Sequence, residues 1–246
     1  MTTTTTTTAP AWNTLLDALA DDGLFPSTLH RLFIYGPPGT GKSAWAQFRF
    51  GRERVERVTL HEQMSPEDLI GSWTLQNGST VWADGPAVRA MRRGAVLVLD
   101  EMTRHSADVA CALYAMCDDL RQAALTLPTG ETVTPAPGFA VIGTDNGTPA
   151  DLPEALADRM DLCVHATTPA PGILADLPDD CGALLARLYD ERAKTATAWL
   201  PAPSVRRMQT FAALSGPWGR ERAAGAIFGP NGADLLTTLA MHAGAK

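Results

Sequence analysis

The sequence predicts an α/β domain, a mostly parallel sheet covered by helices on both faces, followed by a smaller all-helical unit. Three observations carry that expectation. Short apolar runs without alternation (Leu32–Tyr35, Ala95–Leu99 and Phe139–Gly143) read as strands buried on both faces. Segments of helical periodicity separate them, the alternation that builds parallel sheets. The first run leads directly into Gly36-Pro37-Pro38-Gly39-Thr40-Gly41-Lys42-Ser43, which fits G-x-x-x-x-G-K-[ST] at every required position.

Taken in order, Thr2–Thr8 is a homopolymeric tract, and residues 1–10 are expected to be a disordered tail. The tract lacks the apolar area needed to offset its ordering entropy. Leu15, Leu16 and Leu19 have helical spacing and predict a helix over Trp12–Asp21. His30–Tyr35 is the first strand, Lys42–Phe50 the helix after the loop, and Val55–Leu60 a second strand. Ser65-Pro66-Glu67-Asp68 has helix-start chemistry, but Gly71 stops that helix early. Trp73–Trp82, within an insert of about 72–83, reads as a hairpin turning at Asn77-Gly78. A helix resumes at Pro86 and runs to Arg93, so the hairpin interrupts a helix.

Ala95–Leu99 follows as the clearest buried strand, then a helix over Ser106–Cys117 with Val109, Leu113 and Met116 on one face. Leu125–Thr134, within about 125–137, predicts a second hairpin turning at Pro128–Glu131. Phe139–Gly143 is a further strand, Pro153–Met160 a short helix and Leu162–His165 the last strand. These elements define a core over 11–168. Residues 169–180, rich in proline and acid, read as a linker. A helical unit over 181–246 has candidate helices at Leu184–Thr195, Val205–Leu214, Arg220–Phe228 and Ala233–Ala243.

Composition narrows the function. Apolar content of 45% and charged content of 19% describe an ordinary soluble globular protein. A formal charge of -7 disfavours sequence-independent nucleic-acid binding, which usually needs a basic surface. Cys111, Cys117, Cys163 and Cys181 form no C-x-x-C pair and read as reduced, mostly buried thiols of a cytoplasmic protein. No apolar run is long enough to span a bilayer, and no basic-then-apolar leader is visible.

The strand–loop–helix setting gives the loop its chemistry. Glycines let the backbone from Gly36 to Ala44 curl so that its N–H groups, which Pro37 and Pro38 lack, surround phosphate oxygens, and the helix N-terminus adds a favourable dipole. Lys42 is expected to reach the β- and γ-phosphates, and Ser43 to ligate magnesium. Strand Ala95–Leu99 ends in Asp100-Glu101, at the strand end where such sheets bind ligands. Asp100 is placed to hold magnesium through water or the serine hydroxyl, and Glu101 to polarise an attacking water. Asn146, in a turn after Phe139–Gly143, would orient that water or touch the γ-phosphate, although Asn in such turns is more often structural. Arg159 and Arg206 read either as phosphate-directed arginines, Arg159 acting on a neighbouring subunit, or as solvated surface residues.

The ordered set GPPGTGKS, VLVLDE, VIGTDN and LPEALADRM resembles the AAA+ ATPases of the MoxR and dynein-related group, including the gas-vesicle and Rubisco-activase-type members. The stretch SPEDLIGSWTLQNGSTVWADGPAVRAMRRG resembles that group's helix-2 insert, DEMTRHSADV its acid–arginine stretch, and LTLPTGETVTPAPGF its hairpin before the sensor strand. The resemblance covers about residues 25–215. It implies a P-loop NTPase sheet sandwiched by helices with a C-terminal helical lid, and ATP and Mg2+ as cofactors. It assigns Asn146 as sensor one, Arg159 as arginine finger, Arg206 as lid sensor and Arg104 as a subunit-boundary arginine. It further implies a homo-oligomer, usually a hexameric ring, that remodels a protein partner. Gly147 and Met160 depart from the group's usual proline and phenylalanine. No adhesion-type (VWA) domain is fused, so an adaptor of that kind is expected on a separate chain. The competing readings are a nucleotide-gated assembly module without turnover, a nucleic-acid translocase and a small-molecule kinase.

Overall fold

The computed structural model describes residues 12–175, 177–194 and 204–243; the threonine tract lies outside them. The chain divides into two units, Met1–Gly36 with Lys42–His165, and Pro37–Gly41 with Ala166–Lys246.

The first unit runs α1 (Trp12–Asp21), β1 (Arg31–Tyr35), α2 (Lys42–Phe50), β2 (Val55–Thr59), α3 (Pro66–Ile70), β3 (Gly71–Gln76), β4 (Ser79–Asp84) and α4 (Pro86–Arg93). It continues with β5 (Val96–Asp100), α5 (Ala107–Met116), β6 (Leu125–Thr126), β7 (Thr132–Val133), β8 (Ala140–Asp145), α6 (Glu154–Ala157) and β9 (Leu162–His165). Five strands form one parallel sheet in the order β2-β5-β8-β1-β9. Thr144 pairs with Asp100, and Asp145 with Tyr35, so β5, β8 and β1 finish level at one edge. The residues that follow each strand are thereby delivered to one place.

The strands β5 and β8 are buried along their whole length, which explains their unbroken apolar runs. On one face Phe33, Leu97, Leu99 and Val141 pack with Met91 of α4 and Val109 and Leu113 of α5. Burying each such side chain stabilises the fold by about 1.5–3 kcal/mol. The alternate residues Leu32, Ile34, Val98 and Ile142 are buried as well, and α2 lies against β2, β5 and β8.

The insert folds as its sequence dictates. Ser65 and Asp68 form a capping box, and Pro66 opens α3. Gly71 then turns at φ 127°, and a Cβ there would meet the Ala83 carbonyl at 2.3 Å. Only glycine fits, so the helix ends and β3 begins. Asn77 and Gly78 both take positive φ in the β3–β4 turn. Trp73 and Trp82 face each other edge-on at 5.7 Å.

The second unit holds α7 (Pro171–Ala175), α8 (Asp179–Lys194), α9 (Val205–Trp218), α10 (Arg220–Phe228) and α11 (Gly232–Ala243). Leu184, Leu185, Met208, Phe211, Ala224 and Leu239 form its core. The stretch 169–180, read from its sequence as a linker, carries α7 and the first residues of α8. Its prolines stand at or just before helix starts, where no backbone donor is lost, and Asp179 and Asp180 suit a helix N-terminus. The cysteine expectation needs correction: Cys117 and Cys181 are buried, but Cys111 and Cys163 are exposed. Cys163 lies on the edge strand β9, where alternate residues face outward.

Candidate functional site

Within the phosphate-type loop, Gly36, Gly39 and Gly41 take φ of 135°, 84° and 90°, as the tight curl requires. The segment Pro37–Gly41 belongs to the second unit. There Tyr189 donates from its hydroxyl to the Pro38 carbonyl at 2.9 Å. A Cβ on Gly39 would sit 3.1 Å from the Val205 amide nitrogen, so the start of α9 closes on this glycine. Thr40 is fully buried and donates to the Pro37 carbonyl at 3.2 Å. Arg206 follows Val205 on α9 and is exposed. Ala44, in the first turn of α2, is exposed as well.

Lys42 is buried within the first unit, and its Nζ donates to the Gly36 carbonyl at 2.8 Å and to Asn146 Oδ1 at 3.1 Å. Burial pulls its pKa down to about 8, against the opposing pull of Glu101, Asp145 and Asp100. Asn146 Nδ2 in turn donates to Glu101 Oε1 at 3.1 Å. A continuous chain therefore runs from the lysine through the asparagine to the glutamate. Glu101 adopts a left-handed backbone with φ 56°, an uncommon state for a side chain of this size and frequent at functional sites. Among the described residues its Oε2 accepts no hydrogen bond, and it lies 3.4 Å from Arg104 Nε.

Asp100 is almost fully buried at the end of β5. Its Oδ1 accepts from Ser43 Oγ and from Thr144 Oγ1, the latter at 2.6 Å. Its Oδ2 pairs with Arg57 of β2. A serine hydroxyl beside a buried carboxylate is the hard oxygen donor set that suits a cation such as Mg2+.

Sequence reasoning missed Asp145, one residue before Asn146. Its Oδ2 accepts from Thr103 N at 2.8 Å and Thr103 Oγ1 at 2.7 Å, and its Oδ1 from Gly147 N at 2.7 Å. It ties the turn carrying Glu101 to the turn carrying Asn146. The available signal was an acid inside a buried strand, which needs partners to be tolerated. Arg57, Thr144 and Tyr189 were missed too; nothing local to them announces a role.

Arg159 is not joined to this cluster among the described residues. It donates to the Ala155 carbonyl at 2.7 Å, lies 3.5 Å from Asp118 Oδ2 and sits over the Tyr114 ring at 5.5 Å. Its buried Nε finds no acceptor among the described residues.

The sequence profile of the AAA domain (dynein-related subfamily) matches residues 31–160. The chain belongs to this AAA+ subfamily. It is 39% identical over 121 residues to protein NorQ of Paracoccus denitrificans, a match covering 47% of this chain and 43% of NorQ. The denitrification regulatory protein NirQ of Stutzerimonas stutzeri is 33% identical over 117 residues, covering 47% of this chain and 42% of NirQ. Protein CbbQ of Hydrogenophilus thermoluteolus is 31% identical over 114 residues, covering 45% of this chain and 42% of CbbQ. The chain thus matches less than half the length of each of these relatives. The AAA+ family to which the matching profile belongs is one of ATPases that bind ATP with a metal. The AAA+ profile spans β1 through Met160, and so takes in the loop, both acids, Asn146 and Arg159. No helix among the described residues is long and apolar enough to cross a membrane.

Proposed function

We propose that this AAA+ protein hydrolyses ATP in an oligomeric ring, in the cytoplasm, and spends the energy on remodelling a protein partner. The observation that carries the reading is the Lys42–Asn146–Glu101 chain, set beside Ser43 and Asp100. A site that only bound nucleotide would need the loop and the metal ligands. It would not need a carboxylate held one asparagine away from the phosphate-binding lysine.

In this mechanism the loop from Gly36 to Ala44 cradles the phosphates through backbone N–H groups, and Lys42 neutralises charge on the β- and γ-oxygens. Ser43 and Asp100 hold Mg2+, which supplies charge neutralisation when bound. Glu101 takes the proton of the attacking water, and Asn146 orients that water. Arg206, on α9, serves as the lid sensor for the γ-phosphate. Arg159 serves the neighbouring subunit's site, which suits its lack of contact with its own cluster and makes hydrolysis depend on assembly. NirQ is named a denitrification regulatory protein, and by that likeness the partner here is a protein complex brought to activity, through an adaptor such as a VWA-domain protein. The exposed Trp73 and Leu75 on the insert hairpin are the surface offered to that partner.

Turnover and nucleotide binding measured side by side test the reading. Lys42→Ala should lose binding, whereas Glu101→Gln should keep binding and stop turnover. Equal loss of binding in both would remove Glu101 from its role, and full binding without turnover in the wild type would favour the assembly module. Arg159→Ala should lower turnover by on the order of 10³ or more. Mixing it with Lys42→Ala subunits should restore part of it; no recovery in confirmed mixed rings would refute action in trans.

A further inference from the structure

Asp100 is the carboxylate read above as a metal holder, yet it already has a cation. Arg57 lies on β2, next to β5, in register with Val98 and two residues before Thr59, which pairs with Asp100. The two-residue period of a strand puts Arg57, Val98 and Asp100 on one face, and Arg57 Nε reaches Asp100 Oδ2. The other carboxylate oxygen is taken by Ser43 and Thr144. The two partners differ in surroundings: the Asp100 side chain is 8% exposed, whereas that of Arg57 is 46% exposed. Arg57 makes no other hydrogen bond or ion pair among the described residues. The carboxylate is fixed and dry; the guanidinium is tethered only through it and has solvent to swing into.

A buried carboxylate needs a compensating cation whether or not metal is present. A guanidinium beside a divalent cation is repelled, and the carboxylate no longer needs both. We propose that Arg57 is a resident competitor at the metal site: it neutralises Asp100 in the metal-free state and is displaced when nucleotide and divalent cation enter together. This inference rests on the nucleotide-and-metal reading above. Its consequence is a raised metal requirement and a site that stays folded and charge-balanced between turnovers. Val55 and Thr59, the outer members of the same strand, offer no such charge, so on β2 the effect belongs to this one position; Lys42, which also feels Asp100, is engaged with Gly36 and Asn146.

The experiment measures binding of a fluorescent ADP analogue as Mg2+ is titrated, for wild type, Arg57→Gln and Arg57→Lys. All share one buffer, so metal binding to free nucleotide cancels in the comparison. Removing a unit charge beside a divalent ion in partly exposed surroundings should lower the half-saturating Mg2+ roughly three- to tenfold in Arg57→Gln. Binding without Mg2+ should change little. Arg57→Lys keeps the charge and should stay near wild type, which also controls for general damage to β2. Circular dichroism of each metal-free protein reports folding. An unchanged half-saturating Mg2+ in Arg57→Gln would overturn the competitor role. A rise would do so too, and would mean that Arg57 assists the bound state. A wild type that binds no nucleotide at any Mg2+ concentration would sink the underlying reading and the inference with it. Wild-type binding with identical Mg2+ curves would sink the inference alone.

Discussion

Nucleotide affinity should weaken as pH rises through the Lys42 pKa. Burial lowers that pKa from 10.5 to about 8 in the free protein. Only the protonated amine can neutralise phosphate charge, and a bound polyphosphate returns its pKa toward the ordinary value. Between about 8 and 10.5, the complex therefore holds a proton that the free protein does not, and binding takes that proton up. The protonated share of free Lys42 falls from about 0.9 at pH 7 to about 0.1 at pH 9, so affinity should fall about tenfold, or ~1.4 kcal/mol. Calorimetry with ADP and saturating Mg2+ in buffers of different ionisation enthalpy would give both the Kd and the proton uptake. The nucleotide's own phosphate titrates near pH 6 and leaves the window above pH 7.5 clear. Lys42→Arg keeps its charge across the range and should flatten the profile. A flat wild-type Kd from pH 7 to 9, or an equal slope in Lys42→Arg, would refute the assignment of this titration to Lys42.

Asp145→Ala should remove the acceptor for Thr103 N, Thr103 Oγ1 and Gly147 N. Leaving these half-buried donors unpaired should cost on the order of 1–3 kcal/mol in urea denaturation, and turnover should fall more than nucleotide affinity because the Glu101 turn loosens. An equal fall in both would make Asp145 structural only. Alkylation of the native protein at pH 7.5 should mark Cys111 first and Cys163 more slowly, since partial burial raises the Cys163 thiol. Cys117 and Cys181, pushed up to about 12 and about 11 by burial, should react only after unfolding, as read by peptide mass spectrometry. Rapid labelling of Cys117 would show that the α5 end opens readily.

The sequence by itself determined the strands, the loop and the turns, because each is decided by chemistry within a few residues. An unbroken apolar run needs burial on both faces, Asn77-Gly78 accepts two positive φ values, and Gly71 interrupts α3 because glycine is a poor helix former. The loop motif and Asp100-Glu101 were legible for the same reason, since phosphate and metal chemistry leaves few choices of residue. Proline and acid in 169–180 were ambiguous, because the same residues that break a helix interior also open a helix. What only the tertiary structure decided are pairings that sheet register and helix packing create. Arg57 meets Asp100 across 43 positions because β2 lies beside β5. Asp145 binds Thr103 across 42 positions because β8 and β5 end level, and Tyr189 reaches Pro38 across 151 because the second unit folds its helices onto the loop segment. Cys163 faces out because β9 is an edge strand. None of these partners carries a local mark, since the energy that joins them depends on distances the chain acquires only on folding.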